Sequence, residues 1–290
     1  MKNFKRYALI LFLALLSLIF SLLPKHSAFD GKLTIVSIDV GQGDSTLITT
    51  PEKYTILIDA GKPSESEKVI STLHEHSVKK IDALIATHPD TDHIGSIPDV
   101  ISNFKIVELY LPDVQGDNQS FEDMIKLAKE KNIPLKRAMN EVSLPIKGEV
   151  KAGFISPYDH DYSNTNQYSA VLYLKYGNNK FLFMGDAENR NEEEILSYYP
   201  NLKCDFLKVG HHGSKTSSSD RFIGVVKPEI ALISCGYKNS FHHPSKRVMK
   251  LLKDNNIKVF RTDEQHNIIF TSDGNTIYSD KESGSYKYGK

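Results

Sequence analysis

The chain contains only two cysteines, Cys204 and Cys235, among its 290 residues. A thiolate zinc site needs more sulfur than that, so any bound metal must rest on histidine and carboxylate. Both cysteines stand beside apolar, strand-like runs, and two buried free thiols are expected ahead of a disulfide. Net charge is also missing, since Lys+Arg and Asp+Glu number 36 each. No long-range field of one sign advertises a nucleic-acid partner, although a local basic groove is compatible with the balance. There is no repeat of solenoid period and no low-complexity linker, which favours one large domain over residues 31–280 and leaves 281–290 as a frayed tail.

Long hydrophobic runs are confined to one place. Tyr7 to Leu23 is an apolar stretch preceded by Lys2, Lys5 and Arg6. That charge order is expected of a leader, residues 1–30, that inserts with its N-terminus in the cytoplasm and sends the rest out. The expected location is therefore the extracellular face of the cell membrane or the medium. His26-Ser27-Ala28 offers a small residue at only one of the two positions a cleavage site uses, so signal peptide and membrane anchor both stay open.

Beyond the leader, alternating apolar patterns place strands at Leu33 to Val40, Ser45 to Thr49 and Tyr54 to Ile58, the first two joined by a tight turn at Gly41-Gln42-Gly43-Asp44. Helical patterns at Ser66 to Glu75, Ser96 to Phe104 and Phe121 to Lys131 then interleave with strands Ala83 to Thr87 and Val107 to Leu111. Short strands return between Leu135 and Pro157, followed by a hairpin of Tyr168 to Tyr176 with Lys180 to Met184. A helix at Glu188 to Tyr199, strands Phe206 to Val209 and Ile230 to Ser234, a helix at Ser245 to Asp254 and short closing strands complete the chain. Twice, a β-rich opening passes into β/α alternation, which predicts layered α/β construction.

The polar clusters all follow apolar strands: Asp59, then His88-Pro89-Asp90-Thr91-Asp92-His93, then Asp186, His211-His212 and His242-His243. Strand ends of α/β sheets are where rigid scaffolding presents reactive loops. Two imidazoles and two carboxylates crowded between His88 and His93 repel one another unless a divalent cation neutralises them, and mixed nitrogen and oxygen donors suit zinc or manganese. On a donor count, His88 and Asp90 bind one cation, Asp92 and His93 a second, Asp186 bridges them, and a histidine of the His211-His212 pair completes the second. Positions left open for water and substrate distinguish such a catalytic site from a closed structural one. Two adjacent cations lower the pKa of a shared water and clamp the oxygens of a displacement at phosphorus, so hydrolysis is the expected chemistry.

The chain resembles the metallo-β-lactamase superfamily, and within it the hydrolase domain of ComEC-type DNA-uptake proteins. The residues that carry the resemblance are Asp39-Val40-Gly41-Gln42-Gly43-Asp44, Leu57-Ile58-Asp59-Ala60-Gly61, Thr87 through Gly95, Asn166-Gln167-Tyr168-Ser169, Met184 through Glu188, Gly210-His211-His212-Gly213-Ser214 and His243-Pro244. The resemblance implies an αββα sandwich with a metal cleft along one edge. It implies that Asp59 orients a ligand histidine, and that Asn166 occupies the slot where the wider superfamily often carries another histidine. Asp90 likewise stands at the second histidine of the usual H-x-H-x-D-H motif, so the first cation loses nitrogen ligands and the site leans toward manganese or loosely held zinc. The polytopic channel of ComEC proteins has no counterpart in this chain, and a transport role is not implied.

Among single residues, His212 is expected on the metal and His211 beside it for oxyanion contact, with the reverse assignment as the alternative. Asp92 combines a ligand with a catalytic role, and His243, fixed by the following proline, protonates the leaving oxygen or binds phosphate. The function expected is an exported metal-dependent phosphodiesterase or nuclease holding two divalent ions, with DNA or RNA as candidate substrates. Two alternatives are a phosphoesterase acting on cell-wall or lipid headgroups and a non-catalytic metal-binding domain. No protein partner is predicted.

Overall fold

A computed structural model describes residues 31–158 and 160–289. The expected leader therefore lies outside the described residues, among which no helix is long and apolar enough to cross a membrane. Two sheets form the centre. The first contains β1 (Leu33–Ser37), β2 (Thr46–Thr49), β3 (Thr55–Ile58), β4 (Lys80–Ile85), β5 (Lys105–Leu111) and β6 (Leu135–Arg137), joined at the β1 edge by β13 (Ile268–Ser272) and β14 (Ile277–Ser279), in the order β14-β13-β1-β2-β3-β4-β5-β6. The second runs β12-β11-β10-β9-β8-β7, from β7 (Lys151–Ser156), β8 (Val171–Tyr176), β9 (Asn179–Phe183), β10 (Phe206–Lys208), β11 (Ile230–Ile233) and β12 (Lys258–Arg261).

Each sheet is antiparallel in its first strands and turns parallel where helices begin to connect them: β3 to β6 in one, β9 to β12 in the other. Parallel strands need helical crossovers, and those helices cover the outer faces. Helices α1 (Ser66–Glu75), α2 (Thr91–Ile94), α3 (Ile97–Asn103) and α4 (Gln119–Glu130) belong to the first half, and α5 (Asn189–Tyr198), α6 (Asp220–Val226), α7 (Lys246–Asp254) and α8 (Thr262–Gln265) to the second. The apolar interior follows the same division. Ile35, Ile56, Phe154, Phe183, Phe206 and Phe270 fill the space between the sheets, while Val69, Leu73, Ile97 and Met124 seal α1, α3 and α4 onto the first sheet. Ile195, Phe222, Val248 and Leu252 do the same for α5, α6 and α7 on the second. This is the four-layer αββα arrangement expected, and Cys204 and Cys235 are buried free thiols within it.

Three local readings change. The expected helix 96–104 forms as α3, but a separate helical turn, α2, precedes it across Gly95 and Ser96, so Asp92 and His93 stand on a helical turn rather than an open loop. Tyr168 belongs to a 3-10 turn, Thr165–Tyr168, and not to the hairpin. The frayed tail is also corrected for residues 281–289: the Arg261 guanidinium donates to the Ser285 and Lys287 carbonyls, the Tyr286 hydroxyl donates to the Ile257 carbonyl at 2.8 Å, and the Gly289 amide donates to the Pro244 carbonyl at 2.9 Å. Small polar residues suggested solvation, but these backbone groups find partners on the second half.

Phe206 is fully buried, with the Phe270 ring edge-on at 4.9 Å and the Phe181 and Phe183 rings within 5.9 Å. Truncation to alanine removes one side of that cluster, and Phe206→Ala is expected to cost about 3–5 kcal/mol in urea unfolding.

Candidate metal centre

The parallel strands of both sheets deliver their C-terminal ends to one edge. β3 is followed by Asp59, β4 by His88 through His93, β9 by Asp186 and β10 by His211-His212. The 41–44 turn closes the floor. A Cβ on Gly43 would lie 2.3 Å from the Asp92 carbonyl oxygen, so only glycine lets this turn approach α2, and the Asp44 amide uses the space to donate to that carbonyl at 3.2 Å.

Each imidazole has its outer nitrogen occupied and its inner nitrogen bare. His93 Nδ1 donates to Asp59 Oδ2 at 2.7 Å, and Asp59 is held in turn by the Thr87 amide at 2.8 Å and the Thr87 hydroxyl at 2.7 Å. His88 Nδ1 lies 3.1 Å from the Thr87 hydroxyl oxygen, which, having given its proton to Asp59, accepts from the ring. His212 Nδ1 donates to the Ser234 carbonyl at 2.9 Å. Such outer partners fix tautomer and ring orientation. What they leave is a set of buried atoms with no hydrogen-bond partner: Nε2 of His88, His93 and His212, together with Asp186 Oδ1.

These atoms converge. Asp186 Oδ1 is 3.3 Å from His93 Nε2, while Asp186 Oδ2 is 3.5 Å from His212 Nε2, so the carboxylate turns one oxygen to each side. Donor atoms of His88, His93 and Asp186 all lie within 4.8 Å of one another, and so do those of Asp92, His93 and His212. The structure thus brings together His88, Asp92, His93, Asp186 and His212 with Asp59 behind them. Asp90, expected as an equal ligand, stands at the open rim with one oxygen 3.7 Å from His88 Nε2, outside those groups.

His211 and His212 both occupy the left-handed region, at φ 46° and φ 51°. Two adjacent non-glycine residues in that region cost on the order of 1–2 kcal/mol each, and the turn holds because the His211 amide donates to the Gly185 carbonyl at 3.0 Å and the Ser214 amide to the His211 carbonyl at 2.7 Å. The turn points the two rings apart. His212 goes inward, and His211 lies at the lip, with Nε2 3.6 Å from Asp186 Oδ2 and 3.5 Å from Asn166 Nδ2. Asn166 Oδ1 is buried without a partner beside it. His243 stacks on the His212 ring at 6.3 Å and meets the His211 ring edge-on at 5.7 Å, which places it over the same opening.

The electrostatics favour positive charge inside. Burial pulls His212 down, but Asp186 and Asp44 outweigh it and push the imidazole up to about 10. Burial opposes protonation of His93 as well, and Asp186 and Asp59 overcome it and hold the ring well above its ordinary value. Burial would raise Asp186 and Asp92, yet the neighbouring imidazoles hold Asp186 well below the usual carboxylate range and bring Asp92 to about 2. His243 behaves oppositely: burial, then the charges of His212 and His211, depress it to about 4.

Lys208 is a residue that sequence reasoning passed over. It is buried at the end of β10, and its ammonium lies 2.6 Å from Asp44 Oδ2, while Asp44 Oδ1 sits 3.3 Å from His212 Nδ1. A lysine inside the apolar run Phe206 to Val209 was the available signal, because a charge there demands a buried partner.

The comparisons agree with this geometry. The family model of the metallo-beta-lactamase superfamily matches residues 38–237. The chain is 35% identical over 248 residues to ComE operon protein 3 of Bacillus subtilis (strain 168), covering 80% of this chain and 32% of that protein. It is 31% identical over 229 residues to competence protein ComA of Neisseria gonorrhoeae, covering 78% and 30% respectively, so the chain spans about a third of the length of these curated relatives. Among solved structures, CmlA, a diiron beta-hydroxylase from Streptomyces venezuelae, superposes with a TM-score of 0.55 at 13% identity over 80% of this chain and 53% of CmlA. A protein of Parabacteroides distasonis proposed to be a metal-dependent hydrolase gives 0.51 at 17% identity, over 80% of this chain and 94% of its own. From the matched residues and the two-sheet fold together, the chain belongs to the metallo-beta-lactamase superfamily, and the resemblance to competence proteins holds.

Proposed function

We propose that the chain is a metal-dependent phosphodiesterase that cleaves a polynucleotide with two divalent cations, zinc or manganese. The observation that carries this reading is the convergence of four unpartnered buried atoms, His88 Nε2, His93 Nε2, His212 Nε2 and Asp186 Oδ1. A buried polar atom without a partner costs about 1–3 kcal/mol, and four aimed at one space make sense when a ligand satisfies them together. Imidazole nitrogens and carboxylate oxygens are the donor types that these ions take. His88, Asp92, His93, Asp186 and His212, with Asp90 at the rim beside His88, would hold the two ions.

When bound, the ions supply Lewis acidity and a water activated at neutral pH. The chain's own groups do the rest. Asp59 and Thr87 keep the His93 and His88 rings from turning, so their lone pairs face inward. Asn166 and His211 flank the opening, where their side chains can donate to phosphate oxygens. His243 is neutral at physiological pH because of its depressed pKa, and its buried, unpartnered Nδ1 is free to bond the departing oxygen. Export through the 1–30 leader is part of the proposal and rests on the sequence pattern. The relatives named for competence support a polynucleotide substrate over other phosphodiesters, and the intact donor set argues against a purely scaffolding role.

Cleavage of a generic phosphodiester with added manganese or zinc is expected to be abolished by His93→Ala and by Asp186→Ala; turnover that persists in chelator would sink the reading. Asp59→Asn keeps the shape but loses the carboxylate that fixes His93, and titration calorimetry should show cation affinity reduced about 10–100-fold with an unchanged circular dichroism spectrum. The raised His212 pKa is a folded-state stabilisation that is fully present below its ordinary value near 6.5 and is lost as pH rises through about 10. A cation must displace that proton, so metal affinity should rise with pH from 6 to 9, with proton release detected by calorimetry in buffers of different ionisation enthalpy.

A further inference from the structure

We propose that the 236–244 loop, with the start of α7, forms a base-stacking subsite that seats a nucleotide of a single-stranded polynucleotide beside the metal centre; this rests on the phosphodiesterase reading above. Tyr237 and Phe241 on this loop are 72% and 62% exposed, well beyond the general run of large apolar side chains in the chain. Each ring has one face occupied, Phe241 by His243 and Tyr237 by Lys238, and is otherwise largely open. Phe241 stacks on His243 at 5.7 Å with the planes 23° apart, and His243 stacks on His212 at 6.3 Å with the planes 29° apart. A column of flat rings therefore leads from a donor of the metal centre to the surface and ends on an open aromatic face.

The loop is built to hold that face still. The Asn239 side chain donates to the Gly236 and His243 carbonyls at 2.8 and 2.6 Å and accepts from the His243 amide at 3.0 Å, tying both ends of the loop together. The Gly236 amide donates to Gln42 Oε1 at 3.2 Å, which anchors the loop to the floor of the centre. Preorganisation of this kind lowers the entropy cost of binding.

Charge selects the occupant. Residues 236–253 carry five Lys or Arg and no Asp or Glu, in a chain whose charges sum to zero; Arg247 and Lys250 pair with Asp220 and Asp254, which leaves Lys238 and Lys246 beside the aromatic rings. Lys238 sits 5.2 Å over the Tyr237 ring, and Lys246 sits 5.6 Å over the ring of Tyr288. Aromatic faces interleaved with cations are what a flexible polyanion with flat bases requires: stacking takes the base, and ammonium groups take the flanking phosphates. A strand can place one phosphodiester in the cleft and the neighbouring base on Phe241, whereas a bilayer presents its headgroups in a plane that does not follow the ring column inward.

The test uses the full chain. In chelator, fluorescence anisotropy compares an oligothymidylate with an abasic oligonucleotide of equal length, and with manganese the KM for each is measured. The base-bearing strand is expected to bind about tenfold tighter. Phe241→Ala should erase that preference, Phe241→Trp should keep it, and Lys238→Ala should weaken both strands alike while flattening the salt dependence. Equal affinity of the unaltered protein for both strands, or a preference surviving in Phe241→Ala, overturns the subsite. So does Phe241-dependent binding to phosphatidylglycerol vesicles with the oligonucleotides unaffected, which would make the loop a membrane contact. A base preference without cleavage in manganese or zinc overturns the phosphodiesterase reading and leaves the subsite standing; cleavage of both strands with no preference does the reverse.

Discussion

The buried ion pair between Lys208 and Asp44 is where the two halves of the molecule become one site. Lys208 ends a strand of the second sheet, Asp44 closes a turn of the first, and their charged atoms meet at 2.6 Å with both side chains almost fully covered. Two charges removed from water in this way bring little net stability, but separating them is expensive, about 3–5 kcal/mol for loss of one partner. The pair acts as a register pin. Asp44 also reaches the outer nitrogen of His212, so the contact that aligns the sheets aligns a donor as well.

Around that pin, carboxylates and imidazoles alternate through space. Asp59 backs His93, Asp44 backs His212, and Asp186 lies between the inner nitrogens. His212 and His93 hold Asp186 and Asp92 ionised, and those two rings are in turn drawn toward protonation. Protons thus hold the places that cations are suited to take. His243 and His211 stand just outside this field, where burial and the inner imidazoles depress their pKa values, so the imidazoles of the lip are neutral while those of the interior are charged.

Much of this was legible in the residues. Asp59, His88, Asp92, His93, Asp186 and His212 each follow an apolar strand, and strands must end somewhere; their gathering at one edge follows from the parallel order of β3–β4 and β9–β10. The helical turn α2 was not legible, because Gly95 reads as a simple helix entrance until its closeness to Pro63 and to the Thr91 carbonyl is known. One helical turn carries Asp92 and His93 inward and leaves Asp90 at its outer start, 3.7 Å from His88 Nε2. Lys208 was missed because 164 residues separate it from Asp44; Phe241 stands only two residues from His243, but its exposure and the stacking of the two rings do not show in the sequence. The last residues looked solvated from composition alone, which carries no information about backbone partners on β12 and the 244 loop.

The donors are drawn from residues 88 to 212, and both sheets contribute. No early fragment of the chain can therefore capture an ion with the finished geometry, and the fold cannot be templated by metal in the way a small zinc finger is. Loading becomes an event of the completed molecule, so such a centre would take its ion from the surroundings in which folding ends.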